Sequence, residues 1–390
     1  MNSYVHIPFC DRKCKYCRFA SLWKVQNLFI KKYLSFLLKE IKNYSGKKNK
    51  LKTIYFGGWT PSTLDYAGLE KIITCLKNKF NIKKNAEITL ETTPDKVDLK
   101  NLISWEKIWI NRVSIWIQTL NKKSLKEISR WNNKTIFECL DEIKNYINKK
   151  TADNSLSKKE KKYINNFSLD FIIWLPYTKK WETKKNIEKI LKKYNFIKHI
   201  SVYLLEDYLE IRKEIEEKNN FEKITYPKSW KKNSLKEKEY LGEYLEVQKF
   251  LKNKWFCKYE ISNFSKKGFE CKHNKGYWKH KKTVWFWLSA SGFVKNSKWK
   301  LLRYSNSSNF TEYYSKKLEE KYFLKKEDIF LEKVMFWLRT SWIKKNIYKK
   351  LNLKKIKDFI NLWFLEKKQK KLILKNKWIL VLDYIIKEIL

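Results

Sequence analysis

The stretch YVHIPFCDRKCKYCRFA, residues 4–20, runs from a short apolar strand into a loop that carries Cys10, Cys14 and Cys17 in CxxxCxxC spacing. Three thiols delivered within eight residues of one loop can converge on one centre. The chain has seven cysteines in 390 residues, and this uneven distribution does not resemble a disulfide framework; reduced thiols suit a metal site in a reducing compartment. Cys75, Cys139, Cys257 and Cys271 are scattered and are expected to be ordinary buried thiols. With no long uncharged apolar run and no signal-peptide pattern, a cytoplasmic protein is expected.

Working outward from the loop, short apolar runs at 4–7, 53–56, 87–91, 112–117, 169–173 and 199–204 alternate with amphipathic helical stretches. That alternation argues for βα units around a parallel sheet. Six such units predict an α/β fold built as an open or partial (β/α)6 barrel, with its chemistry at the C-terminal ends of the strands. Residues 151–166 and 209–238 read as solvated insertions. Beyond about residue 320 the pattern changes to helices and the segment KKLILKNKWILVLDYII, which predicts a small C-terminal α+β domain of winged-helix-like shape. The expected division is therefore 1–208 for the barrel, 209–320 for an extension containing HNKGYW, and 321–390 for the C-terminal domain.

Iron–sulfur clusters are held by cysteine thiolates, and three ligands leave one iron of a [4Fe–4S] cluster open to another group. A structural zinc site wants four closed ligands, commonly from CxxC pairs, and no second pair is present. The spacing, with an aromatic residue before the last cysteine, resembles the radical S-adenosylmethionine (SAM) superfamily. YVHIPFC, FGGWTPS, NRVSIWIQTLN, DFIIWLP, YEISNF and CKHNKGYW further resemble, in order, the blocks of its coproporphyrinogen III oxidase-like branch. Within that branch the oxidases carry a fourth cysteine two residues after the third, where this chain has Phe19. HNKGYW, residues 273–278, resembles the corresponding element of the heme chaperones.

The resemblance implies a [4Fe–4S] cluster on Cys10, Cys14 and Cys17, SAM chelated to the open iron, and heme. Gly57, Gly58, Trp59 and Thr60 match the turn that holds the methionine end of SAM. Tyr4 and Tyr16 match cofactor-contacting positions beside the cluster. Glu91 matches an acceptor for a cationic amine, and Gln118, Arg130 and Asp170 match positions that hold ribose, carboxylate and adenosine. His273 is a candidate heme ligand, with Cys271 a lesser one, and His6 is expected to orient the loop. The partners implied are heme and apo-hemoproteins; the alternatives are oxidative decarboxylation of coproporphyrinogen III and a basic nucleic-acid-binding protein.

A formal net charge of +46 would ordinarily point to nucleic acid or anionic lipid. Here the lysines are spread along the whole chain with no arginine-rich stripe, which points away from nucleic acid and leaves weak, salt-sensitive peripheral attraction to membranes. Composition is odd in one further respect. There are 8 glycines and 18 tryptophans, where average usage of about 7% predicts roughly 27 glycines. Trp59, Trp116, Trp174, Trp285 and Trp287 stand where the resembling blocks carry glycine, and Trp255, Trp337, Trp363 and Trp378 occupy expected turns or helix ends. Only Trp278 matches a native tryptophan. Exchanging the others for glycine would restore an ordinary composition, as expected of a gene whose UGA codons mean glycine.

Overall fold

The computed structural model describes residues 1–390 apart from 18–21, 24, 45–48, 131–133, 153–162, 206–229, 231–236, 288–290, 296–299, 308–311, 314, 316–317, 341, 370 and 376–380. Most of the two expected insertions, together with Phe19 and Trp378, lies outside the described residues.

The chain begins with β1 (Asn2–Ile7), followed by the two-residue strands β2 (Phe9–Cys10) and β3 (Leu22–Trp23). Then come β4 (Lys50–Gly58), β5 (Asn81–Thr92), β6 (Arg112–Gln118), β7 (Asn166–Ile173) and β8 (His199–Leu204). Strands β1, β4, β5, β6, β7 and β8 lie side by side in that order and all pair in parallel. Each contains one of the six apolar runs. Helices α1 (Asn27–Asn43), α2 (Tyr66–Lys79), α3 (Leu99–Lys107), α4 (Lys122–Glu127), α5 (Ile136–Ala152) and α6 (Glu182–Lys193) provide the crossovers. In α1, Tyr33, Leu37 and Ile41 recur at helical spacing and are the buried face. Asp65, Asp98 and Asn121 cap α2, α3 and α4 by accepting a backbone N–H three residues on.

Because side chains alternate along a strand, each barrel strand has two faces. One carries Val5, Ile7, Ile54, Phe56, Ile88, Leu90, Val113, Ile115, Leu169 and Phe171, all buried in the main hydrophobic core. The other carries polar and aromatic groups that meet across strands: Tyr4 stacks on Tyr55 at 5.9 Å, and Tyr55 donates to Glu91 at 2.6 Å. Ser114 donates to Asp170 at 3.0 Å, and Ser168 bonds His199 at 2.7 Å. A polar lumen lies inside an apolar shell.

The sheet continues past the barrel on both sides. β9 (Cys257–Lys258) and β10 (Asn263–Ser265) add antiparallel beyond β8. On the other side β11 (Thr283–Phe286) pairs in parallel with β1, and β12 (Ser291–Lys295), β13 (Leu301–Asn306) and β14 (Leu318–Phe323) follow antiparallel. Three expectations change here. The boundary at 320 falls inside β14, and residues 257–323 continue the barrel sheet. Trp337 lies within the helix Lys326–Thr340 rather than in a turn, and Trp285 lies in β11. Cys257 is exposed, whereas Cys75, Cys139 and Cys271 are buried.

After β14 the order is that helix, β15 (Trp342–Lys344), helices Lys345–Tyr348 and Leu353–Asn361, β16 (Leu365–Lys368), β17 (Lys371–Leu374) and the helix Leu382–Ile389. The small sheet runs β15-β17-β16. This helix–strand–helix–helix–hairpin order is that of a winged helix. It has its own core of Val334, Leu338, Ile343, Ile356, Leu372 and Ile385, among others.

Candidate functional site

The cysteine loop is pinned at both ends, since β2 and β3 pair in parallel with Cys10 opposite Trp23. Within it Cys17 N–H donates to the Cys14 carbonyl at 3.0 Å, and Lys15 N–H donates to the Ile128 carbonyl at 3.2 Å. None of the three thiols is in a disulfide. Cys10 Sγ lies 3.2 Å from Thr60 Oγ1, which joins the loop to the turn after β4. Arg130, buried, points Nη1 at Cys14 Sγ (3.8 Å) and at the Tyr16 hydroxyl (3.2 Å), while Nη2 donates to the Trp116 carbonyl. Gln118 Nε2 donates to the same Tyr16 hydroxyl at 2.8 Å. Arg130 thus stands as a buried cation against the loop, while burial raises the Cys10 thiol. Among the described residues no three Cys, His, Asp or Glu side chains already enclose a common metal position. As a donor set, however, three thiols on one loop with a guanidinium against them fit an iron–sulfur cluster.

The turn after β4 is docked onto β1 by its backbone, with Trp59 N–H donating to Ile7 O and Thr60 N–H to Phe9 O. Gly58 has φ +125°, and a Cβ there would stand 2.5 Å from the Ile7 carbonyl; one on Gly57 would stand 2.6 Å from the Tyr4 ring. Both glycines are required by close approach. Gly58 N–H donates to Glu91 Oε2 at 3.2 Å. Burial pushes the Glu91 carboxyl up to about 8, against the Tyr55 and Gly58 hydrogen bonds that favour its charged form. Trp59 is buried in this turn.

Deeper in the lumen, Asp170 accepts from Ser114 and Ser168 and is raised by burial. At the other end of the strands lies His273. Its Nδ1 bonds Thr53 at 2.8 Å, and its ring sits 5.0 Å from that of Tyr55. Thr53 precedes Gly58 by five strand residues, about 16 Å. His273 is only 2% exposed, and its pKa falls to about 3 through burial and the nearby Arg112. Its Nε2 has no hydrogen-bond partner among the described residues. Cys271 is the N-cap of the helix Lys272–Trp278, and burial pushes its thiol up to about 12. His6 meets the Tyr4 hydroxyl at 3.3 Å, and burial lowers it to about 4.

The structure thus brings Cys10, Cys14, Tyr16, Gln118 and Arg130 together, joins Gly57–Thr60 to Glu91 and Tyr4, and leaves His273 at the far end. Sequence reasoning passed over Tyr55, Glu87 and Arg112. Glu87 accepts the Lys272 and His273 N–H groups at 2.9 and 3.0 Å and so seats the helix that carries His273. The available signal was period-two polarity inside apolar strands, as in Glu87, Thr89 and Glu91.

Residues 4–156 match the Radical SAM superfamily model. The heme chaperone HemW of Buchnera aphidicola subsp. Schizaphis graminum is 30% identical over 95% of this chain and 95% of its own length. The heme chaperone HemW of Lactococcus lactis is 27% identical over 77% of this chain and 72% of its own. Among solved structures, Escherichia coli coproporphyrinogen III oxidase (HemN), a radical SAM enzyme, superposes with a TM-score of 0.77 at 16% identity, covering 99% of this chain and 89% of that one. The last likeness shows a shared fold. The near-full-length match to the Buchnera relative, on a chain whose cysteine loop crowns six parallel strands, shows that this chain belongs to the HemW heme chaperone family of the radical SAM superfamily.

Proposed function

We propose that the chain binds a [4Fe–4S] cluster through Cys10, Cys14 and Cys17, binds SAM against the strand ends, and binds heme for transfer to apo-hemoproteins. The observation that carries this reading is the convergence of the cysteine loop with Glu91, Gln118 and Arg130 at the C-terminal ends of the parallel strands. When bound, the cluster supplies an electron and an open iron site. The chain's own groups do the positioning. Arg130 offsets thiolate charge at Cys14, Gln118 and Arg130 hold Tyr16, and Glu91 is placed to accept a cationic amine once ionised. Asp170 and Tyr4 are proposed as the inner wall of the SAM site. His273 is proposed as a heme ligand through Nε2, which requires the helix Lys272–Trp278 to move because the ring is buried.

Support for a cytoplasmic location comes from the CxxxCxxC spacing of Cys10, Cys14 and Cys17, which suits a metal site in a reducing compartment. Among the described residues no helix is long and apolar enough to cross a membrane. The +46 charge supports salt-sensitive peripheral attraction to anionic membranes.

Anaerobic reconstitution with ferrous iron and sulfide, followed by heme titration and a coproporphyrinogen III assay, tests the reading. Cluster absorbance lost in Cys10→Ala/Cys14→Ala/Cys17→Ala, one heme per chain and no decarboxylation are expected. Robust decarboxylation would make the chain an oxidase. Heme affinity unchanged in His273→Ala would remove that residue from the heme site.

A further inference from the structure

Six tryptophans hold left-handed backbone: Trp109 (φ 74°), Trp174 (77°), Trp181 (64°), Trp255 (64°), Trp287 (90°) and Trp363 (62°). Among the described residues the other non-glycine positions of this kind are Gln118, Ser129, Tyr177, His280 and Gln369. Asparagine and aspartate tolerate this region best after glycine, yet no Asn or Asp of this chain is among them. The chain's bulkiest residue type fills the conformation that suits it least.

Three of the six share one local geometry. Ile110 N–H donates to Trp105 O at 3.1 Å while Trp109 N–H donates to Glu106 O at 2.8 Å. Phe256 and Trp255 donate to Leu251 O and Lys252 O at 2.9 and 3.0 Å, and Phe364 and Trp363 to Phe359 O and Ile360 O at 2.8 and 3.0 Å. Each is a Schellman helix end, and each places tryptophan at the left-handed position that glycine most often takes. Their rings lie mostly in solvent, with Lys77 Nζ 3.3 Å from the Trp109 ring centroid and Lys375 Nζ 4.0 Å from that of Trp363. Trp109, Trp255 and Trp363 are 54%, 82% and 64% exposed, whereas the residues after the first two, Ile110 and Phe256, are buried and anchor the turn. Trp174 directly follows β7, Trp181 directly precedes α6, and Trp287 directly follows β11. They too punctuate elements as glycines do.

We propose that in the protein its cell makes, Trp109, Trp174, Trp181, Trp255, Trp287 and Trp363 are glycines, encoded by UGA, and that tryptophan at these positions comes from translating UGA in another code. The same code makes Trp59 a third glycine of the turn that bears Gly57, Gly58 and Thr60, and removes a buried indole from that turn. The inference rests on backbone geometry and composition and is independent of the heme reading.

Peptide mass spectrometry on the protein purified from its source organism, read against the codons of its gene, decides it. UGA codons at 109, 255 and 363, with fragments lighter by the difference between tryptophan and glycine, are expected. A tryptophan mass at any of these three overturns the proposal. A second measurement tests the steric argument on recombinant chain carrying tryptophan throughout. Trp255→Gly is expected to raise the thermal midpoint by about 2 °C or more, whereas Trp255→Ala, which removes the same exposed indole but keeps a Cβ, leaves it unchanged or lower. Equal midpoints for the two variants would overturn the argument that the backbone selects glycine.

Discussion

At the scale of single residues, Glu91 is the group whose charge the fold most clearly controls. Its folded pKa of about 8 lies above the ordinary 4.5, with burial the main cause, Asp170 adding to the rise and Arg112 opposing it. The folded state therefore holds its proton more tightly than the unfolded chain, so Glu91's contribution to stability falls as pH rises from about 4.5 to about 8. Glu91→Gln, which cannot titrate, is expected to gain stability relative to the parent chain across that window when both are unfolded in urea without added ligand. Parallel pH profiles for the two proteins would refute the assignment. Glu91 was legible in the sequence because it closes the run 87–91 and matches an acceptor position in the resembling blocks; its partner Tyr55 was not, because an aromatic within an apolar run reads as core.

Among elements, the helix Lys272–Trp278 shows where local signals end. Its HNKGYW pattern is visible in the sequence, but what seats it is not. Glu87 accepts two of its N-terminal N–H groups across more than 180 residues of chain, and that distance closes only when β5 takes its place in the barrel. Glu87 also lies near the buried Arg112. Glu87→Ala should therefore leave both helix donors and a buried cation without their carboxylate and cost about 3–5 kcal/mol in chemical denaturation. Thr53→Val keeps its side-chain volume but loses the bond to His273, for a smaller cost of about 1 kcal/mol. Equal costs would mean that Glu87 acts as filler rather than as an anchor. The six parallel strands were legible because each is a buried apolar run between turn signals. β11 is absent from the six runs because Trp285 was read only as a position where the resembling blocks carry glycine. The boundary expected near 320 falls inside β14, an edge strand whose sequence LEEKYF lacks the unbroken apolar run of the barrel strands.

For the whole molecule the dominant long-range term is charge, 87 basic against 41 acidic residues. One cluster of like charge lies near the N-terminal end of β1. There the Met1 amine is lowered first by burial and then by Lys52, Lys281, Lys282 and Lys83. Lys281 is lowered by burial and then by Lys52, Lys279 and Lys275. Like charges held this close oppose the compact state, and salt relieves them: the screening length falls from about 30 Å at 0.01 M to about 8 Å at 0.15 M. The thermal midpoint is therefore expected to rise with sodium chloride over that range, the reverse of a fold held by surface ion pairs. Lys281→Glu should raise the low-salt midpoint and flatten the salt dependence, since it removes one member of the cluster and offers Lys52 and Lys279 a counter-charge. A midpoint that falls with salt in the parent chain, or a Lys281→Glu variant that keeps the full salt response, would show that the lysines are too well solvated to repel one another at these distances.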